Sequence, residues 1–559
     1  HKKLPYNERD FYFFDEASDI LVLMTGEIFN KKEFFSEELS TPQFVAKLFS
    51  LYGIDFLNQL NGDFAIFIYR PRENKSFLIR DHLGIQPLAY IFFEDFLFFS
   101  SDILKLCKAF GENEKIQVNF LLQKIKVTDN LLTPNEKVKK IPPGHFLELN
   151  NERALLKKFW FPEKIRVNTK LSFKKALTDL DFLLKDAVSV RGNPSFFCGS
   201  HLSGGLDSSY VAVLAKEHFK YQEKFYGFSW SPEKKDDNNT SYDERIYVNK
   251  IALMNNIEPV FLDMDIRDYL SLTNDFFLNL GQFWEEKTRE LAKQKKVNLL
   301  FSGWGGDEFI SISESGISLD LFLKFKWKSF FEKNPIKHPR KLLKVFIYYV
   351  IFPLLGILDF ETKKLFKRGL YYIKKDHSRF NKKAFKQFYH YGSRRERQLG
   401  FLNDFHLSER CEMWSILGYR KGIVYRYPLL DKRIIEYVLQ VPSQYLFEKE
   451  KNRIILRKLS KGLLPEEVIW NESKLDYKLI EKNKELLFEL ADKLIPELMD
   501  WAKNPDLDFI NFELLKKDLD KYKNNPDKIK FEFFLRNVVF FKMLHEFTKT
   551  YRSLPPTAE

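Results

Sequence analysis

The sequence predicts an α/β protein built from two domains, and two observations along the chain support this fold class. Short runs dense in β-branched and aromatic residues, separated by Gly, Asn and Pro, fill most of the first 165 residues. From residue 171 onward, helical stretches alternate with strands, a pattern typical of βαβ units in a doubly wound parallel sheet. Beyond residue 309 the chain is mostly helical and rich in lysine. We therefore expect one domain over residues 1–165 and a parallel-sheet domain with helical additions over residues 166–559.

The individual elements follow from these patterns in chain order. In the first domain, strand-like runs lie at residues 21–29, 64–70, 76–81, 96–101 and 141–149. In the second domain, helices are predicted at residues 173–190, 208–218 and 243–254, and strands at residues 196–202, 224–230, 259–264 and 297–301. The alternation predicts that the carboxyl ends of these strands gather at one edge of a sheet.

Composition excludes several classes of protein. Of 559 residues, 44% are apolar and 30% are charged, which excludes a globally disordered chain. Three cysteines lie far apart without a CxxC pair, which argues against a disulfide framework and a cysteine-based zinc module and fits a reducing compartment. The net charge of +13 permits anionic ligands. No nucleic-acid-binding signature accompanies this charge, so we predict no nucleic-acid partner.

An uncharged apolar run at residues 345–358 complicates a purely soluble interpretation. It is shorter than the roughly 18–20 residues that span a bilayer, and Pro353 and Gly356 interrupt it. A buried core helix is the favoured interpretation. Flanking lysines keep peripheral membrane contact open as the alternative. Since no apolar signal stretch begins the chain, we expect a cytoplasmic protein, with membrane association as the variant.

A glycine-rich loop, Leu202-Ser-Gly-Gly-Leu-Asp-Ser-Ser209, lies between a predicted strand and a predicted helix. The two glycines let the backbone bring its N–H groups close to an anion, and the serines add donors at a helix N-terminus that favours phosphate. An aspartate beside phosphates makes sense as a Mg²⁺ ligand. The loop lacks the Gly-Lys-Ser/Thr of NTPases that transfer a γ-phosphate, so that class is disfavoured. The predicted nucleotide-binding residues are Ser203, Gly204, Gly205, Leu206, Asp207, Ser208, Ser209 and, in a later strand, Phe228.

A second loop, Phe301-Ser-Gly-Trp-Gly-Gly-Asp-Glu308, also follows a strand and ends in acids. Because both loops lie at carboxyl ends of parallel strands, we expect a divalent cation between Asp207 and Asp307, together with the phosphates of a nucleotide. Trp304 is a candidate for the wall of a substrate cavity, with simple packing as the alternative. Gly303, Gly305 and Gly306 complete the predicted nucleotide-binding set.

These loops resemble those of the asparagine synthetase superfamily, enzymes that adenylate a carboxylate and release pyrophosphate. Residues 203–209 are similar to the pyrophosphatase loop of that superfamily, and residues 303–308 to its metal-binding loop. Other matching segments are Gly26-Glu-Ile-Phe-Asn30, Leu60-Asn-Gly-Asp-Phe-Ala65, Arg80-Asp-His-Leu-Gly-Ile-Gln-Pro87, Arg426-Tyr-Pro-Leu-Leu-Asp431, Ile455-Leu-Arg-Lys458, Leu464-Pro-Glu-Glu467 and Asn471-Glu-Ser-Lys474.

The resemblance implies both a fold and an activity. The fold would be an αββα domain like that of N-terminal-nucleophile (Ntn) glutaminases, followed by an ATP-pyrophosphatase synthetase domain. The activity would be ATP- and Mg²⁺-dependent amide formation with AMP release. Asp207, Asp307 and Lys474 would be the catalytic residues, with Lys474 stabilising the leaving pyrophosphate and the adenylate. A solvated surface lysine is the alternative for Lys474 in a chain this rich in lysine.

The glutaminase-type domain departs from an active one. The chain begins His1-Lys2 where a catalytic cysteine is expected, and Thr25 replaces an asparagine whose amide would stabilise an oxyanion. The loop expected to hold the amino group of glutamine reads Ser40-Thr-Pro-Gln43. We expect this domain to be inactive as a glutaminase, and a truncated but active domain is the alternative.

The synthetase half also departs from asparagine synthetases. The residues after the second loop lack the usual aromatic continuation, and Val424 stands where a glutamate is expected. The run 302–308, with Gly316 and Trp327 following, looks most like that of the lasso-peptide cyclases. This resemblance implies that the cavity near Trp304 and Tyr425 takes a peptide, whose Asp or Glu side chain is activated and closed onto its own N-terminal amine.

Three functions remain in view. The first is ATP-dependent macrolactam formation, for which the partners would be a precursor core peptide, a leader peptidase and a leader-binding protein. The second is asparagine synthetase-like chemistry with ammonia or another small amine. The third is a silent scaffold that binds a peptide, which the complete loops argue against. The ten histidines show no metal-ligand spacing, and His201 beside the first loop is interpreted as a core or surface residue.

Overall fold

The computed structural model describes residues 4–6, 10–111, 115–123, 130–150, 153–232, 243–268, 270, 283–312, 316–335, 338–357, 364, 367–377, 392–403, 406–472, 477–524 and 528–553. Within this part of the chain the α/β fold class is confirmed, since a mixed strand-rich half precedes a parallel sheet with helices. The predicted boundary between residues 165 and 166 falls in the link after a 3₁₀ helix at Pro162–Lys164.

The amino-terminal half contains two antiparallel sheets. Its elements are β1 (Tyr12–Asp15), β2 (Ile20–Ile28), α1 (Thr41–Tyr52), β3 (Gly62–Arg70), β4 (Lys75–Arg80), β5 (Ala89–Phe93), β6 (Phe96–Ser100), α2 (Ile103–Ala109), α3 (Val118–Leu122), β7 (Lys139–Lys140), β8 (His145–Leu149) and β9 (Ala154–Lys158). The larger sheet has the order β1-β2-β3-β4-β8-β9, and the smaller has the order β6-β5-β7. Helix α1 packs on β1 and β2.

Helix α1 was not predicted, and its beginning explains a sequence feature. Ser40 and Gln43 form a capping box: the Ser40 hydroxyl accepts from the Gln43 amide, and the Gln43 side chain accepts from the Ser40 N–H. These residues, interpreted from sequence as the altered remnant of a glutamine-binding loop, therefore start a helix.

The second half is organised around a five-stranded parallel sheet. Its strands are β10 (Cys198–His201), β11 (Tyr226–Ser229), β12 (Glu258–Phe261), β13 (Leu299–Phe301) and β14 (Val424–Arg426), followed by a hairpin of β15 (Phe447–Glu448) and β16 (Lys451–Asn452). The sheet order is β12-β11-β10-β13-β14, with all neighbours parallel. The order changes direction at β10, and ligands of such sheets bind at this point.

Helices make up much of the rest of the described residues in this half. They are α4 (Phe173–Val190), α5 (Leu206–His218), α6 (Glu244–Asn255), α7 (Phe283–Gln294), α8 (Ile317–Leu323), α9 (Trp327–Lys333), α10 (Pro339–Phe346), α11 (Phe352–Leu355), α12 (Arg394–Asn403), α13 (His406–Lys421), α14 (Lys432–Gln440), α15 (Ile454–Leu459), α16 (Glu466–Ile469), α17 (Tyr477–Leu494), α18 (Leu498–Trp501), α19 (Phe512–Asn524) and α20 (Lys528–Ser553). A π-helical turn, Ile347–Ile351, joins α10 to α11.

The two halves share one hydrophobic core. A continuous cluster of buried apolar side chains runs from the larger antiparallel sheet through α4 and α5 to the parallel sheet. A second cluster joins α2 and α3 to the helices at the carboxyl end of the chain. Buried ion pairs also cross between the halves: Arg80 and Lys140 contact Glu412 at 2.8 and 2.5 Å, and Arg426 contacts Glu27 at 2.6 Å.

The favoured interpretation of the apolar run at residues 345–358 is wrong. As far as Ile357 the run forms the end of α10, the π turn and α11, and among these residues only Val345 and Val350 are buried. Leu354 and Leu355 are 52% and 65% exposed. Residues 339–355 are helical without a break, so the segment is a helix as predicted, but most side chains of the run are partly or fully exposed. Among the described residues, no helix is long and apolar enough to cross a bilayer.

Candidate functional site

The first glycine-rich loop forms the turn between β10 and α5. Helix α5 begins at Leu206 with Gly205 as its N-cap. The Ser203 and Ser208 hydroxyls lie 2.5 Å apart, and Ser203 Oγ accepts the Gly205 N–H at 3.1 Å. Ser209 is buried and donates to the Ser203 carbonyl at 2.6 Å, so it braces the loop and does not line the cavity. The N-terminus of α5 therefore carries the hydroxyls of Ser203 and Ser208, both of which line the cavity. Such an arrangement is suited to binding phosphate.

The second loop follows β13, the neighbour of β10 in the sheet, and packs against the first. A Cβ on Gly303 would lie 2.6 Å from the Ser208 nitrogen, and one on Gly306 would overlap the Asp207 carboxylate. Only glycine permits this approach, which brings the two loops into contact. Asp207 and Asp307 are therefore placed at one edge of the sheet, as the sequence predicted.

Arg453 connects the two carboxylates. Its guanidinium lies 2.5 Å from Asp307 Oδ1 and 3.6 Å from Asp207 Oδ2. Arg453 precedes α15 in a left-handed conformation (φ 62°), which turns its side chain back toward the loops. The pair of aspartates already holds one cation between them. Sequence reasoning missed this residue.

A cavity of about 610 Å³ opens over both loops. Trp304 forms part of its wall, with the Arg410 guanidinium stacked 3.6 Å from its ring centroid. Burial and the neighbouring Asp307 carboxylate raise the pKa of Glu308 to about 7. The cavity is lined by His201, Leu202, Ser203, Gly204, Gly205, Leu206, Asp207, Ser208, Phe228, Trp230, Glu244, Ser302, Gly303, Trp304, Gly305, Asp307, Glu308, Arg410, Trp414, Glu450, Asn452, Arg453, Arg457, Val468, Asn471 and Glu472.

This cavity brings together most of the predicted site residues. Phe228 lines it, whereas Gly306 packs behind Asp207. Tyr425 does not line it: the Tyr425 side chain is buried and donates to Glu285 Oε1 at 2.5 Å. Lys474 lies outside the described residues, so its role stays a prediction.

The donor set fits Mg²⁺ shared with a nucleotide. Among the described residues no group of three or more His, Cys, Asp or Glu side chains could hold a metal by itself. Mg²⁺ at sites of phosphate chemistry is bound by one or two carboxylates, with substrate phosphates and waters as the other ligands. Asp207 and Asp307, bridged by a guanidinium and adjacent to an anion-binding helix start, match that requirement. They are the residues that would hold the ion.

In the amino-terminal half, the strand that carries Thr25 makes a contact between the two halves of the chain. Arg426, at the end of β14, is almost fully buried and contacts Glu27, which also accepts from Tyr6 at 2.8 Å. Burial lowers and the Glu27 carboxylate raises the pKa of Arg426, and the net change is upward, so the guanidinium stays charged. Thr25 precedes this pair on β2 with its hydroxyl buried. Thr25, which stands where an oxyanion-stabilising asparagine was expected, is thus two residues before the Glu27 of this ion pair.

Comparison with known protein families gives two matches. The asparagine synthase family matches residues 179–534, and the glutamine amidotransferase domain family matches residues 12–160. These matches confirm the predicted order of an Ntn-glutaminase-like domain followed by a synthase domain.

Individual relatives align over varying lengths. Putative glutamine-hydrolysing asparagine synthetase 2 of Methanocaldococcus jannaschii is 27% identical over 337 residues, 55% of this chain and 62% of that protein. Glutamine-hydrolysing asparagine synthetase 2 of Bacillus subtilis is 28% identical over 37% of this chain and 30% of its own length. The chain thus spans less than two thirds of these two relatives. Asparagine synthetase 3 of B. subtilis is 22% identical over 81% of this chain and 74% of its own length.

Solved structures give a weaker likeness. Glutamine phosphoribosylpyrophosphate amidotransferase of B. subtilis, in complex with ADP and GMP, is 12% identical over 53% of this chain and 64% of that one. The TM-score of 0.20 is too low to support a statement about this fold.

Proposed function

The chain belongs to the asparagine synthase family, and we propose that it forms an amide bond in an ATP-dependent reaction that passes through an acyl-adenylate. The observation that carries the proposal is the contact of Asp207 and Asp307 with one guanidinium, beside the serine-lined start of α5. Ligands for a divalent cation and donors for phosphate thus share one cavity. Loss of pyrophosphate from ATP requires both.

The proposed reaction has two steps. An oxygen of the substrate carboxylate attacks the α-phosphorus of ATP, pyrophosphate leaves, and an amine then attacks the acyl carbon with loss of AMP. The Ser203 and Ser208 hydroxyls and the N–H groups at the start of α5 hold the phosphates. Mg²⁺, held by Asp207 and Asp307, would neutralise charge on the leaving pyrophosphate. Arg453, displaced from the carboxylates, is within reach of the same charge.

We propose a peptide as the substrate, cyclised between an Asp or Glu side chain and its own N-terminal amine. Support comes from the wall of the cavity, where Trp230, Trp304 and Trp414 present large aromatic surfaces. Val424, in the place of the expected glutamate, is a buried strand residue and offers no carboxylate to a small amine. Holding both reacting ends of one chain replaces a bimolecular encounter by proximity.

An asparagine synthetase-like reaction with ammonia or another small amine is the second candidate. It is favoured by the relatives, several of which are named asparagine synthetases. The two candidates share the adenylation step and differ in the amine.

The partners implied by cyclisation stay predictions: a precursor core peptide, a leader peptidase and a leader-binding protein. Peripheral membrane contact also stays a prediction. The exposed side chains of Leu343, Leu354 and Leu355, near Lys341 and Lys344, support it.

ATP–pyrophosphate exchange tests the adenylation step. The wild-type protein should exchange label between pyrophosphate and ATP when given a leaderless peptide with an internal Asp or Glu. Asp207→Asn and Asp307→Asn should each abolish exchange with the fold retained, because each removes a cation ligand. Asp265→Asn, which alters an exposed carboxylate paired with Arg267, is the matched control and should exchange normally.

Product analysis separates the two candidates. Loss of one water from the peptide, with AMP formed in equal amount, supports cyclisation. Asparagine synthetase-like chemistry would be favoured if AMP forms with free aspartate and ammonia but does not form with any of the peptides. Near-normal exchange in either aspartate variant would contradict the site itself.

A further inference from the structure

One wall of the cavity is an aromatic enclosure around a histidine. The His201 ring lies 5.5 Å from the Trp414 ring, 6.2 Å from that of Tyr425 and 6.4 Å from that of Trp230, measured between centroids. His201 is the last residue of β10, directly before the glycine-rich loop. Its side chain keeps 12% exposure, and it lines the cavity with Trp230 and Trp414. The imidazole is therefore accessible from the space above the loops.

A buried carboxylate lies behind this histidine. Glu285, in the first turn of α7, is fully buried and lies 3.2 Å from His201 Nε2. The Tyr425 hydroxyl donates to the same carboxylate at 2.5 Å. Burial raises the pKa of Glu285, but His201, Arg289 and the Tyr425 hydroxyl together outweigh it and hold that pKa below its usual range. Glu285 is thus an ionised group that fixes the orientation of the imidazole.

Two cations lie near the Glu285–His201 pair, and both form ion pairs with the adjacent Glu286. Arg289, also on α7, is held by Glu286 at 2.5 Å and donates to the Tyr425 hydroxyl at 3.2 Å. Lys421, from α13, contacts Glu286 at 2.9 Å. Glu286 therefore engages both neighbouring cations.

A further charged group near this enclosure, Arg410, is engaged by aromatic rings. Arg410, from α13, stacks on Trp304 at 3.6 Å and lies 5.6 Å from the Trp414 ring centroid. Aromatic faces with an anion behind a histidine form an environment that attracts a protonated amine.

We propose that His201, positioned by Glu285, binds and deprotonates the acceptor amine. This inference rests on the proposed function for the amide-forming step. An alkyl ammonium enters the aromatic enclosure, and His201 takes one of its protons, which frees the nitrogen lone pair. That lone pair forms the C–N bond with the acyl carbon, while the bond from this carbon to the AMP oxygen breaks and AMP leaves with the electron pair. The attacking nitrogen loses its second proton to water, and His201 passes the first to solvent.

This assignment gives the amide-forming step a proton acceptor. Val424 offers no acid, and Trp304 contributes an aromatic ring to the second loop. An amine that attacks an acyl-adenylate must lose protons, so a cavity that forms amides needs an acceptor for them. His201 and Glu285 meet that need from β10 and α7, on the wall formed by Trp230 and Trp414. Glu285 acts through His201 and is a positioning residue.

Separating the two half-reactions tests the proposal. In His201→Gln, the ratio of amide formation to pyrophosphate exchange should fall by about 10²–10⁴-fold, the usual contribution of a general base. Glu285→Gln should lower the same ratio and alter the pH profile of amide formation. Hydroxylamine is largely unprotonated at neutral pH, so hydroxamate formation should recover in both variants. His218→Gln, at the far end of α5, is the matched control.

The results that would overturn the proposal are equally distinct. If hydroxamate formation falls in step with amide formation, the histidine is only structural. If amide formation in His201→Gln matches the wild type, the histidine has no role. Absence of pyrophosphate exchange in the wild type would contradict the proposed function instead.

Amine binding tests the enclosure without any turnover. Tryptophan fluorescence can follow titration with glycylglycinamide and with its N-acetyl derivative. The free amine should bind at least tenfold more tightly than the acetylated form, and Glu285→Gln should remove this preference. Equal binding of the two compounds to the wild-type protein would refute the amine site, whether or not ATP is used.

Discussion

Arg453→Met should bind Mg²⁺ more tightly than the wild-type protein when no nucleotide is present. In the structure the guanidinium lies between Asp207 and Asp307, where it contacts both carboxylates. A divalent cation that uses the same two carboxylates must displace it. Removing the guanidinium removes this competition, so a substitution that harms catalysis should improve cation binding.

The size of the effect follows from the two contacts. Asp307 is half exposed, so its ion pair with Arg453 contributes only about 0.5–1 kcal/mol. Asp207 and Arg453 are mostly buried, but their contact at 3.6 Å is long, and it contributes about 1–1.5 kcal/mol. The competition therefore costs a binding cation about 1.5–2.5 kcal/mol. That corresponds to a Kd for Mg²⁺ about 10- to 60-fold lower in the variant.

Isothermal titration of Mg²⁺ into nucleotide-free protein measures this Kd. Lys458→Met is the matched control, because Lys458 lies on α15 but pairs with Glu448 outside the cavity. The control should bind Mg²⁺ as the wild type does. Equal or weaker Mg²⁺ binding by Arg453→Met would refute the reasoning that the guanidinium and the cation share one position.

Three further predictions concern the loops, the cavity and the interface. Gly306→Ala puts a methyl group into the Asp207 carboxylate and should lower pyrophosphate exchange about 100-fold. Burial raises the folded-state pKa of Glu308 to about 7. The protonated Glu308 carboxyl therefore contributes its full stability below pH 4.5, and this contribution is lost as the pH rises to 7. Glu308→Gln should gain stability relative to wild type across that range, by up to about 3 kcal/mol. Glu412→Leu leaves the buried Arg80 without its counter-charge and should cost about 3–5 kcal/mol in urea unfolding.

Each of these predictions has a contrary outcome. Exchange within a few-fold of wild type in Gly306→Ala would mean that the loops do not need this close approach. If the difference in unfolding free energy between Glu308→Gln and wild type does not change with pH, the pKa of Glu308 is the same in the folded and unfolded states. For the interface, Glu163→Gln is the control, because its ion pair with Lys158 is largely exposed and should contribute less than about 1 kcal/mol. Equal losses in Glu412→Leu and Glu163→Gln would contradict the burial argument.

The loops could be predicted because their chemistry is local. Glycines, serines and an aspartate stand within eight consecutive residues of the first loop, and the strand before it and helix after it have clear patterns. The position of Asp207 and Asp307 at the same edge of the sheet follows from parallel strand order, which the alternation of elements predicts.

Residues that act across long sequence distances could not be predicted in the same way. Arg453 is one of 90 basic residues and lies 146 positions from Asp307, and only its left-handed turn before α15 directs it to the site. Glu285 belongs to a short charged run that looks like an exposed helix face, yet it is fully buried. The apolar run ending in α11 forms a helix, but its composition could not show that most of its side chains stay exposed.

The pairs Arg426–Glu27 and Arg80–Glu412 have a consequence for how the protein can be divided. Each joins a charge in one half of the chain to its counter-charge in the other, and all four side chains lie mostly out of contact with water. Separating the halves would break both pairs and leave Arg426 and Glu412 on the newly uncovered face of the synthase half without these counter-charges. The amino-terminal half thus serves as a counter-ion for its neighbour. Cutting the chain between the halves would therefore place unpaired charges on the exposed face of the larger one.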